Sequence, residues 1–243
     1  MIKAIIFDLD GTLVQTEILK AESYAQAIQN LTNGTVSQEM VLESFGKYVG
    51  LPRAGVISGL YEEFRNVLSE HLVGLDAESV KERVITSRLA IYHEMLNNKS
   101  LLSSHFCPYN LGLLHRAHQE RFRTVVATMS HRNEAEKVIE AMGILEKLDV
   151  ILTSDDIIQG KPHPEIYMKV KALLKMESME CLVIEDSVNG IKAGLGAGMH
   201  VFAVINHLTR KQVHTANILD PYFVIDDSRE LIKRVYQFIE ENK

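Results

Sequence analysis

The sequence KAIIFDLDGTL, residues 3–13, decides how the rest of the chain is interpreted. It starts with a nearly all-apolar run that is typical of a strand buried on both faces of a parallel sheet. Asp8 and Asp10 come next, and their side chains share one side because alternate residues of an extended chain do so. Gly11 then marks a sharp turn. Ligands bind beyond the carboxyl ends of parallel strands, so the pair indicates a cation or reaction site, although a turn or helix cap explains an isolated pair equally well.

Length and composition favour a globular protein with one large domain or two unequal ones. The chain has 243 residues, of which 46% are hydrophobic and 24% charged, and these values are ordinary for the class. A net charge of -6 argues against a broad nucleic-acid surface. The sequence shows neither an apolar run of about 20 residues nor a secretory signal. We therefore expect a cytoplasmic protein that binds neither nucleic acid nor membrane, with Cys107 and Cys181 reduced.

The segment 16–99 has helical periodicity and no convincing strand. Helices are predicted over 16–31, from 37 to a stop at 50–52, over 54–72 and over 77–96. An all-helical insert directly after the first strand interrupts the usual alternation of an α/β fold. We interpret it as a cap domain inserted into a core made of residues 1–15 and 100–243.

Strands and helices alternate over the rest of the chain. The predicted strands are 122–127, 150–152, 181–184, 201–205 and 223–225, and the predicted helices are 110–120, 132–142, 165–176, 188–195 and 230–240. This pattern predicts an α/β fold with a doubly wound, Rossmann-like parallel sheet and helices on both faces. The carboxyl ends of the strands then lie along one edge of the sheet.

Polar side chains follow several of these predicted strands. Thr128 follows the second strand, Lys161 lies after the third, and Glu185 with Asp186 follows the fourth. Each has an ordinary structural explanation: a helix cap for Thr128, a solvated loop for Lys161, and a helix start for the acidic pair. Their gathering at one edge of the sheet favours a functional interpretation.

The combined set fits phosphoryl transfer. Carboxylates such as Asp8, Glu185 and Asp186 are the oxygen ligands that Mg²⁺ prefers, and a lysine and a hydroxyl bind phosphate oxygens. No Ser-His or Cys-His pairing is evident, so a carboxylate is the natural nucleophile and would form an aspartyl-phosphate. Asp10, two residues on, could pass a proton to the leaving oxygen.

These motifs resemble the four motifs of the haloacid dehalogenase superfamily. The similar segments are DLDGTL at 8–13, Thr128, GKPHPE at 160–165 and IEDSVNG at 184–190, in the family's order and across nearly the whole chain. The helical insert resembles the family's cap. The resemblance implies that Asp8 is the nucleophile and Asp10 the general acid/base.

The resemblance also assigns the metal and phosphate ligands. It implies that Asp8, Glu185, Asp186 and the backbone carbonyl of Asp10 hold Mg²⁺. Thr128 and Lys161 would hold the phosphate, with Lys161 offsetting the charge of the nucleophile. An acid two residues after the nucleophile separates the chain from the dehalogenase branch.

The chain looks most similar to the branch that contains β-phosphoglucomutase and small sugar-phosphate phosphatases. The segment around Gly50 and Arg53 resembles the cap loop that meets substrate, so both are predicted to bind substrate, together with Ser130. Many members have a histidine on the first cap helix where this sequence has Lys20. In the mutase that histidine is linked to keeping water from the phospho-enzyme, so Lys20 weakens a mutase interpretation.

The sequence therefore predicts a monomeric, Mg²⁺-dependent phosphatase of a small phosphorylated metabolite, with a sugar phosphate as the expected class. A mutase of the β-phosphoglucomutase type is the alternative that uses the same core. A phospho-aspartate signalling module is an alternative of another class. Such modules are about half this length, and the Asp10 position, which promotes turnover, speaks against one.

Overall fold

The computed structural model describes residues 1–48, 51 and 53–242 and divides the chain into two compact units. The sheet unit contains Met1–Gln15 and the chain from Leu102 onward, and the helical unit contains Thr16–Leu101. One unit is thus inserted into the other directly after the first strand and its loop. Each unit has a buried apolar core of its own.

The sheet unit is built on a six-stranded sheet in which every neighbouring pair is parallel. The strands are β1 (Ala4–Phe7), β2 (Arg123–Ala127), β3 (Val150–Leu152), β4 (Cys181–Glu185), β5 (His200–Val204) and β6 (Val224–Ile225). Their spatial order is β3-β2-β1-β4-β5-β6. The chain therefore builds outward from β1 in one direction and then returns to β4. Such a reversal places the ligand-binding crevice of an α/β sheet beside β1 and β4.

The helical unit contains four helices and no strand among its described residues. They are α1 (Thr16–Leu31), α2 (Gln38–Phe45), α3 (Arg53–His71) and α4 (Ala77–Asn97). The Ser37 and Asp76 side chains cap α2 and α4 by accepting backbone hydrogen bonds, as short polar side chains do at helix starts. The buried core of the unit includes Tyr24, Ile28, Val41, Phe45, Leu60, Phe64, Leu68 and Val84. The stop predicted near Gly50 and Pro52 lies outside the described residues.

The remaining helices are α5 (Lys99–Ser103), α6 (Pro108–Gln119), α7 (Arg132–Met142), α8 (Glu165–Leu174), α9 (Val188–Gly196), α10 (Arg210–Ala216) and α11 (Leu231–Glu241). The sequence did not predict α5 and α10. Both are short, and each buries a single residue, Leu102 in α5 and Val213 in α10, so neither produces an apolar stripe that a periodicity search detects. None of the described helices is long and apolar enough to cross a bilayer.

The central strands are buried on both faces of the sheet. All four residues of β1 and all five of β4 are buried, and on one face Ile6 and Val183 pack in a cluster with Ile166 and Ile191 of α8 and α9. Covered faces explain why these strands are nearly continuous apolar runs. The prediction of a doubly wound parallel sheet with an inserted all-helical domain is confirmed.

Candidate active site

Asp8 directly continues β1 beyond its last paired residue. Its backbone N–H donates to the Ile184 carbonyl at 2.9 Å, so the sheet itself fixes Asp8 beside the end of β4. Glu185 is the last residue of β4 and Asp186 follows it. All three carboxylates are buried. The parallel pairing therefore places acidic groups that are far apart in sequence at one point of the sheet edge.

Lys161 joins the carboxyl ends of three strands. Its Nζ donates to Asp8 Oδ1 at 2.6 Å, to Glu185 Oε1 at 2.7 Å and to the Ala127 carbonyl of β2 at 2.9 Å. An ammonium group has three donors, and all three are used here. The side chain is only 4% exposed. Lys161 thus acts as a fixed positive charge between two buried carboxylates.

Burial and charge shift the proton equilibria at this point. The pKa of Asp8 is raised to about 8. Burial is the main cause; Lys161 lowers the pKa, and Glu185 and Asp10 raise it. Burial alone would lower the pKa of Lys161, but Asp8 and Glu185 hold it well above its usual value. Lys161 therefore stays charged. When Asp8 is ionised, one ammonium group does not offset the three neighbouring carboxylates, so the site then has room for additional positive charge.

Glu185 is held by the chain that follows it and by Tyr167. Its Oε2 accepts from the N–H groups of Asp186 and Ser187 at 2.9 and 3.1 Å and from the Ser187 hydroxyl at 3.1 Å. The Tyr167 hydroxyl donates to its Oε1 at 3.1 Å. A Cβ at Gly190 would overlap that same oxygen. Only glycine at position 190 leaves space for this carboxylate.

Asp8, Glu185 and Asp186 have the arrangement of a metal site. One oxygen from each lies within 4.8 Å of the others, which suits a hard divalent cation with oxygen ligands. Gly11 has φ of +85°, and a Cβ there would overlap the Asp186 carboxylate. The backbone turn at Gly11 therefore leaves the space that Asp186 occupies. The donor set, the excess negative charge and the two glycines fit Mg²⁺.

Asp10 lies against two hydroxyl groups from the loop after β2. Ser130 Oγ donates to Asp10 Oδ2 at 2.5 Å and Thr128 Oγ1 donates to the same oxygen at 3.1 Å. The Ser130 N–H donates to Thr128 Oγ1 at 3.0 Å, which orders the two side chains. Both hydroxyl groups thus donate to Asp10, and the predicted contact of Thr128 and Ser130 with substrate stays a prediction.

His131 and Arg132 both contact acidic side chains from the loop after β3. His131 Nδ1 lies 2.7 Å from Asp155 Oδ1, and Arg132 Nη2 lies 2.7 Å from Asp156 Oδ2. Arg132 also pairs with Glu136 at 3.2 Å. These pairs fasten the start of α7 to the neighbouring loop. The described contacts of Asp155 and Asp156 therefore belong to the structure of that loop.

Two of the predicted substrate-binding residues belong to the helical insert. Arg53 is the first residue of α3 in the helical unit, and Gly50 lies outside the described residues. Their roles in substrate binding stay predictions.

Sequence reasoning missed Tyr167 and Asn206, although both touch the acidic cluster. Asn206 Nδ2 donates to Asp186 Oδ2 at 2.9 Å. Neither residue belongs to one of the sequence motifs. Tyr167 is one of the apolar positions of α8, and Asn206 precedes a helix that was not predicted. The turn-forming residues Asn206 and Thr209 at the end of β5 were the available signal.

Comparison with known proteins gives the family. The family model for haloacid dehalogenase-like hydrolases matches residues 5–204. The validoxylamine A 7'-phosphate phosphatase of Streptomyces hygroscopicus subsp. limoneus is 30% identical over 199 residues, 82% of this chain and 84% of that protein. The phosphorylated carbohydrates phosphatase of Thermotoga maritima is 29% identical over 209 residues, 85% of this chain and 87% of that protein.

Solved structures agree at the level of fold. The β-phosphoglucomutase of Clostridium difficile superposes with a TM-score of 0.66 at 22% identity, covering 98% of this chain and 99% of that one. The family resemblance inferred from the motifs is confirmed by the match over 5–204. The chain belongs to the haloacid dehalogenase-like hydrolase family.

Proposed function

We propose that the protein is a Mg²⁺-dependent phosphatase that hydrolyses a small phosphorylated metabolite through an aspartyl-phosphate on Asp8. The observation that carries the proposal is the contact of Lys161 with both Asp8 and Glu185, at 2.6 and 2.7 Å. It gathers a nucleophile, a fixed cation and a metal-type carboxylate set at one strand edge. Phosphoryl transfer needs little else from a protein beyond positioning and charge stabilisation.

The metal would be held by Asp8, Glu185 and Asp186, with the Asp10 backbone carbonyl as the predicted further ligand. When bound, Mg²⁺ neutralises charge on the transferring phosphoryl group and lowers the repulsion between phosphate and carboxylate. Lys161 adds a second, permanent positive charge next to Asp8 Oδ1. Its hydrogen bond also limits the rotation of the Asp8 carboxylate.

The reaction proposed has two steps. An Asp8 carboxylate oxygen attacks phosphorus, the ester P–O bond breaks, and protonated Asp10 gives its proton to the leaving oxygen. Asp10 then takes a proton from water as the water oxygen attacks the phosphorus of the aspartyl-phosphate. Inorganic phosphate leaves and the Asp8 carboxylate is restored. Thr128 and Ser130 support both steps by holding Asp10 Oδ2 in place.

We propose that the inserted helical unit, with its predicted limits at 16–99, serves as a cap. A cap of this kind excludes bulk water and selects the leaving group when it closes. Gly50 and Arg53 are the predicted substrate contacts from this part of the chain. Truncation of the Arg53 side chain would then raise KM more than it lowers kcat for the true substrate.

The proposed substrate class is a phosphorylated carbohydrate or a similar metabolite. Two relatives of the chain carry names of phosphatases that act on such compounds. The test is a panel of phosphorylated metabolites, assayed for inorganic phosphate with Mg²⁺ and again with EDTA. Phosphate release that EDTA abolishes supports the proposal. Turnover of a sugar phosphate only with a bisphosphate primer, and with no phosphate release, would favour the mutase instead.

Three further expectations stay predictions: that the protein is a monomer, that it is cytoplasmic and that it binds no nucleic acid.

A further inference from the structure

Asn206 lies two residues after the end of β5 and connects two parts of the proposed metal site. Its side-chain Nδ2 donates to Asp186 Oδ2 at 2.9 Å and to the Gly11 carbonyl at 3.3 Å. Asp186 is a proposed metal ligand, and Gly11 belongs to the loop that carries Asp8 and Asp10. The role of Asn206 follows from no motif of the sequence.

The amide oxygen of Asn206 is held by the turn that follows this residue. Its Oδ1 accepts from the N–H groups of Leu208 and Thr209 at 2.8 and 3.2 Å. In return, the Asn206 N–H donates to Thr209 Oγ1 at 3.2 Å. This reciprocal pairing at the start of α10 is the geometry that asparagine favours in turns.

The partners determine which way the amide points. Two N–H donors face Oδ1, while a carboxylate and a carbonyl face Nδ2, so the reverse orientation would oppose donors to donors and acceptors to acceptors. The turn therefore presents the NH₂ group to Asp186 as a fixed donor. Both halves of the amide are satisfied, so no rotation of the side chain gains a hydrogen bond.

Asp186 is confined from a second direction by Gly11. A Cβ at position 11 would overlap Asp186 Oδ2, so the backbone lies directly against the same oxygen that the amide contacts. Gln15 Nε2 also donates to the Gly11 carbonyl at 3.0 Å, and this hydrogen bond helps to hold the Gly11 backbone in place. Oδ2 is thus turned toward Asn206 and Gly11.

We propose that Asn206 is a positioning residue that makes Asp186 offer the metal a single oxygen and thereby favours Mg²⁺ over Ca²⁺. The inference rests on the metal site of the proposed function. Ca²⁺ takes six to eight oxygen ligands and accepts bidentate carboxylates, whereas Mg²⁺ requires near-octahedral geometry at shorter distances. A carboxylate whose Oδ2 is held by an amide and packed against a backbone resists bidentate coordination.

The test is direct titration of the phosphate-free full-length protein with Mg²⁺ and with Ca²⁺ by calorimetry. In the Asn206→Ser variant the hydroxyl serves the same kind of turn, but it is too short to replace the amide donor at Asp186. We expect Mg²⁺ affinity to fall about tenfold or more, as on loss of other groups that orient metal ligands. We expect a smaller loss for Ca²⁺, so the ratio of Kd for Ca²⁺ to Kd for Mg²⁺ falls.

The matched control is Thr209→Val. It keeps the side-chain shape and the backbone N–H of residue 209, but it removes the hydroxyl that accepts from the Asn206 N–H. It loosens the turn without touching the contact with Asp186. We expect wild-type Kd values for both ions. A drop in Mg²⁺ affinity equal to that of Asn206→Ser would show that the turn matters rather than the amide donor, and would overturn the inference.

A second variant keeps the test decisive if Asn206→Ser does not fold. In Asn206→Asp the carboxylate can accept the same two hydrogen bonds of the turn, but it places an oxygen opposite Asp186 Oδ2 where the amide nitrogen was. It adds an oxygen ligand that suits the higher coordination number of Ca²⁺, so the Kd ratio should again fall. A wild-type ratio in the folded variants overturns the inference and leaves the phosphatase proposal intact. A wild-type protein that binds no Mg²⁺ refutes the proposed metal site itself, and the inference with it.

Discussion

Lys161 Nζ lies 2.6 Å from Asp8 Oδ1, although 153 positions of sequence separate the two residues. Asp8 is placed by β1, and Lys161 reaches it from the loop between β3 and α8. The same ammonium group contacts Glu185 of β4 at 2.7 Å. When Asp8 is ionised, three buried carboxylates in the cluster outnumber this one cation. Because the desolvation of two buried charges can exceed their attraction, this ion pair is weak evidence for a stabilising role and fits the proposed role in charge chemistry.

Replacing Lys161 by methionine should destabilise the metal-free protein. Asp8 and Glu185 would lose their hydrogen-bonded cation while remaining buried, and removing one partner of a buried pair typically costs about 3–5 kcal/mol. Urea unfolding in EDTA measures the free energy of unfolding. The double variant Asp8→Asn/Lys161→Met should recover part of the lost free energy of unfolding, because less negative charge is buried without a cation. An unfolding midpoint equal to that of the wild type in Lys161→Met would contradict the assigned role.

The metal-free protein should become less stable as the pH rises. The pKa of Asp8 is raised from 3.8 to about 8 in the folded protein. Between these values the unfolded carboxyl has lost its proton and the folded one has kept it. The folded state then binds more protons, so the free energy of unfolding falls as pH rises from about 4 through about 8 and levels off above.

The matched control for this pH dependence is Asp8→Asn, which has no proton to lose at that position. Its free energy of unfolding, measured in EDTA across the same pH range, should fall less steeply than that of the wild type. Added Mg²⁺ should reduce the wild-type fall, because a bound dication stabilises the ionised carboxylate. Parallel curves for wild type and Asp8→Asn would show that Asp8 does not titrate in this range.

Asp10→Asn should slow hydrolysis most where the leaving group is poor. General acid catalysis contributes about 10²–10⁴-fold, and an alkoxide needs that proton far more than a nitrophenolate does. The kcat/KM values for a sugar phosphate and for p-nitrophenyl phosphate, which report only the steps up to departure of the leaving group, are therefore compared in each variant. Ser130→Ala, which loses the 2.5 Å bond to Asp10 Oδ2, should show the same selectivity to a smaller degree. Equal losses on both substrates would argue against Asp10 as the acid.

Gly190→Ala should weaken Mg²⁺ binding, because its Cβ would displace the Glu185 carboxylate that overlaps the same space. Gly196→Ala is the matched control on the same helix, since the nearest atom to its Cβ would be Pro164 Cβ at an ordinary 3.5 Å. Alanine is the better helix former at both positions by roughly 1 kcal/mol. Calorimetric Mg²⁺ titration should therefore separate the two variants. Similar affinities in both would remove Glu185 from the proposed ligand set.

The sequence predicted the fold well because its signals are long and local. Two-sided burial makes β1 and β4 apolar runs, and the four-helix insert has a strong helical period. The edge of the sheet then follows from topology, which explains why Asp8, Lys161 and Glu185 could be grouped before their distances were known. Their catalytic roles stay predictions until they are measured.

The remaining features depend on contacts that sequence spacing does not carry. Asn206 reaches Asp186 only because β5 pairs with β4 and a turn aims the amide. The hydrogen bonds of Ser130 and Thr128 to Asp10, which lies 120 and 118 positions away, were not predicted; the contact of both residues with substrate stays a prediction. Arg132 pairs with Asp156, 24 positions further on, a contact that no spacing in the sequence indicates. Such pairings appear only when the chain is folded.

The central claim is that Asp8 carries the phosphoryl group, and trapping that group tests it most directly. The enzyme is mixed with Mg²⁺ and a hydrolysed substrate, quenched rapidly in acid, which preserves acyl phosphates, and mapped by peptide mass spectrometry. We predict phosphate on Asp8, formed at least as fast as turnover and absent in Asp8→Asn, whose turnover should fall about 10³-fold or more. With p-nitrophenyl phosphate, whose leaving group needs little protonation, the phosphate should accumulate in Asp10→Asn. Phosphate on another residue, or full turnover by Asp8→Asn, would contradict the account.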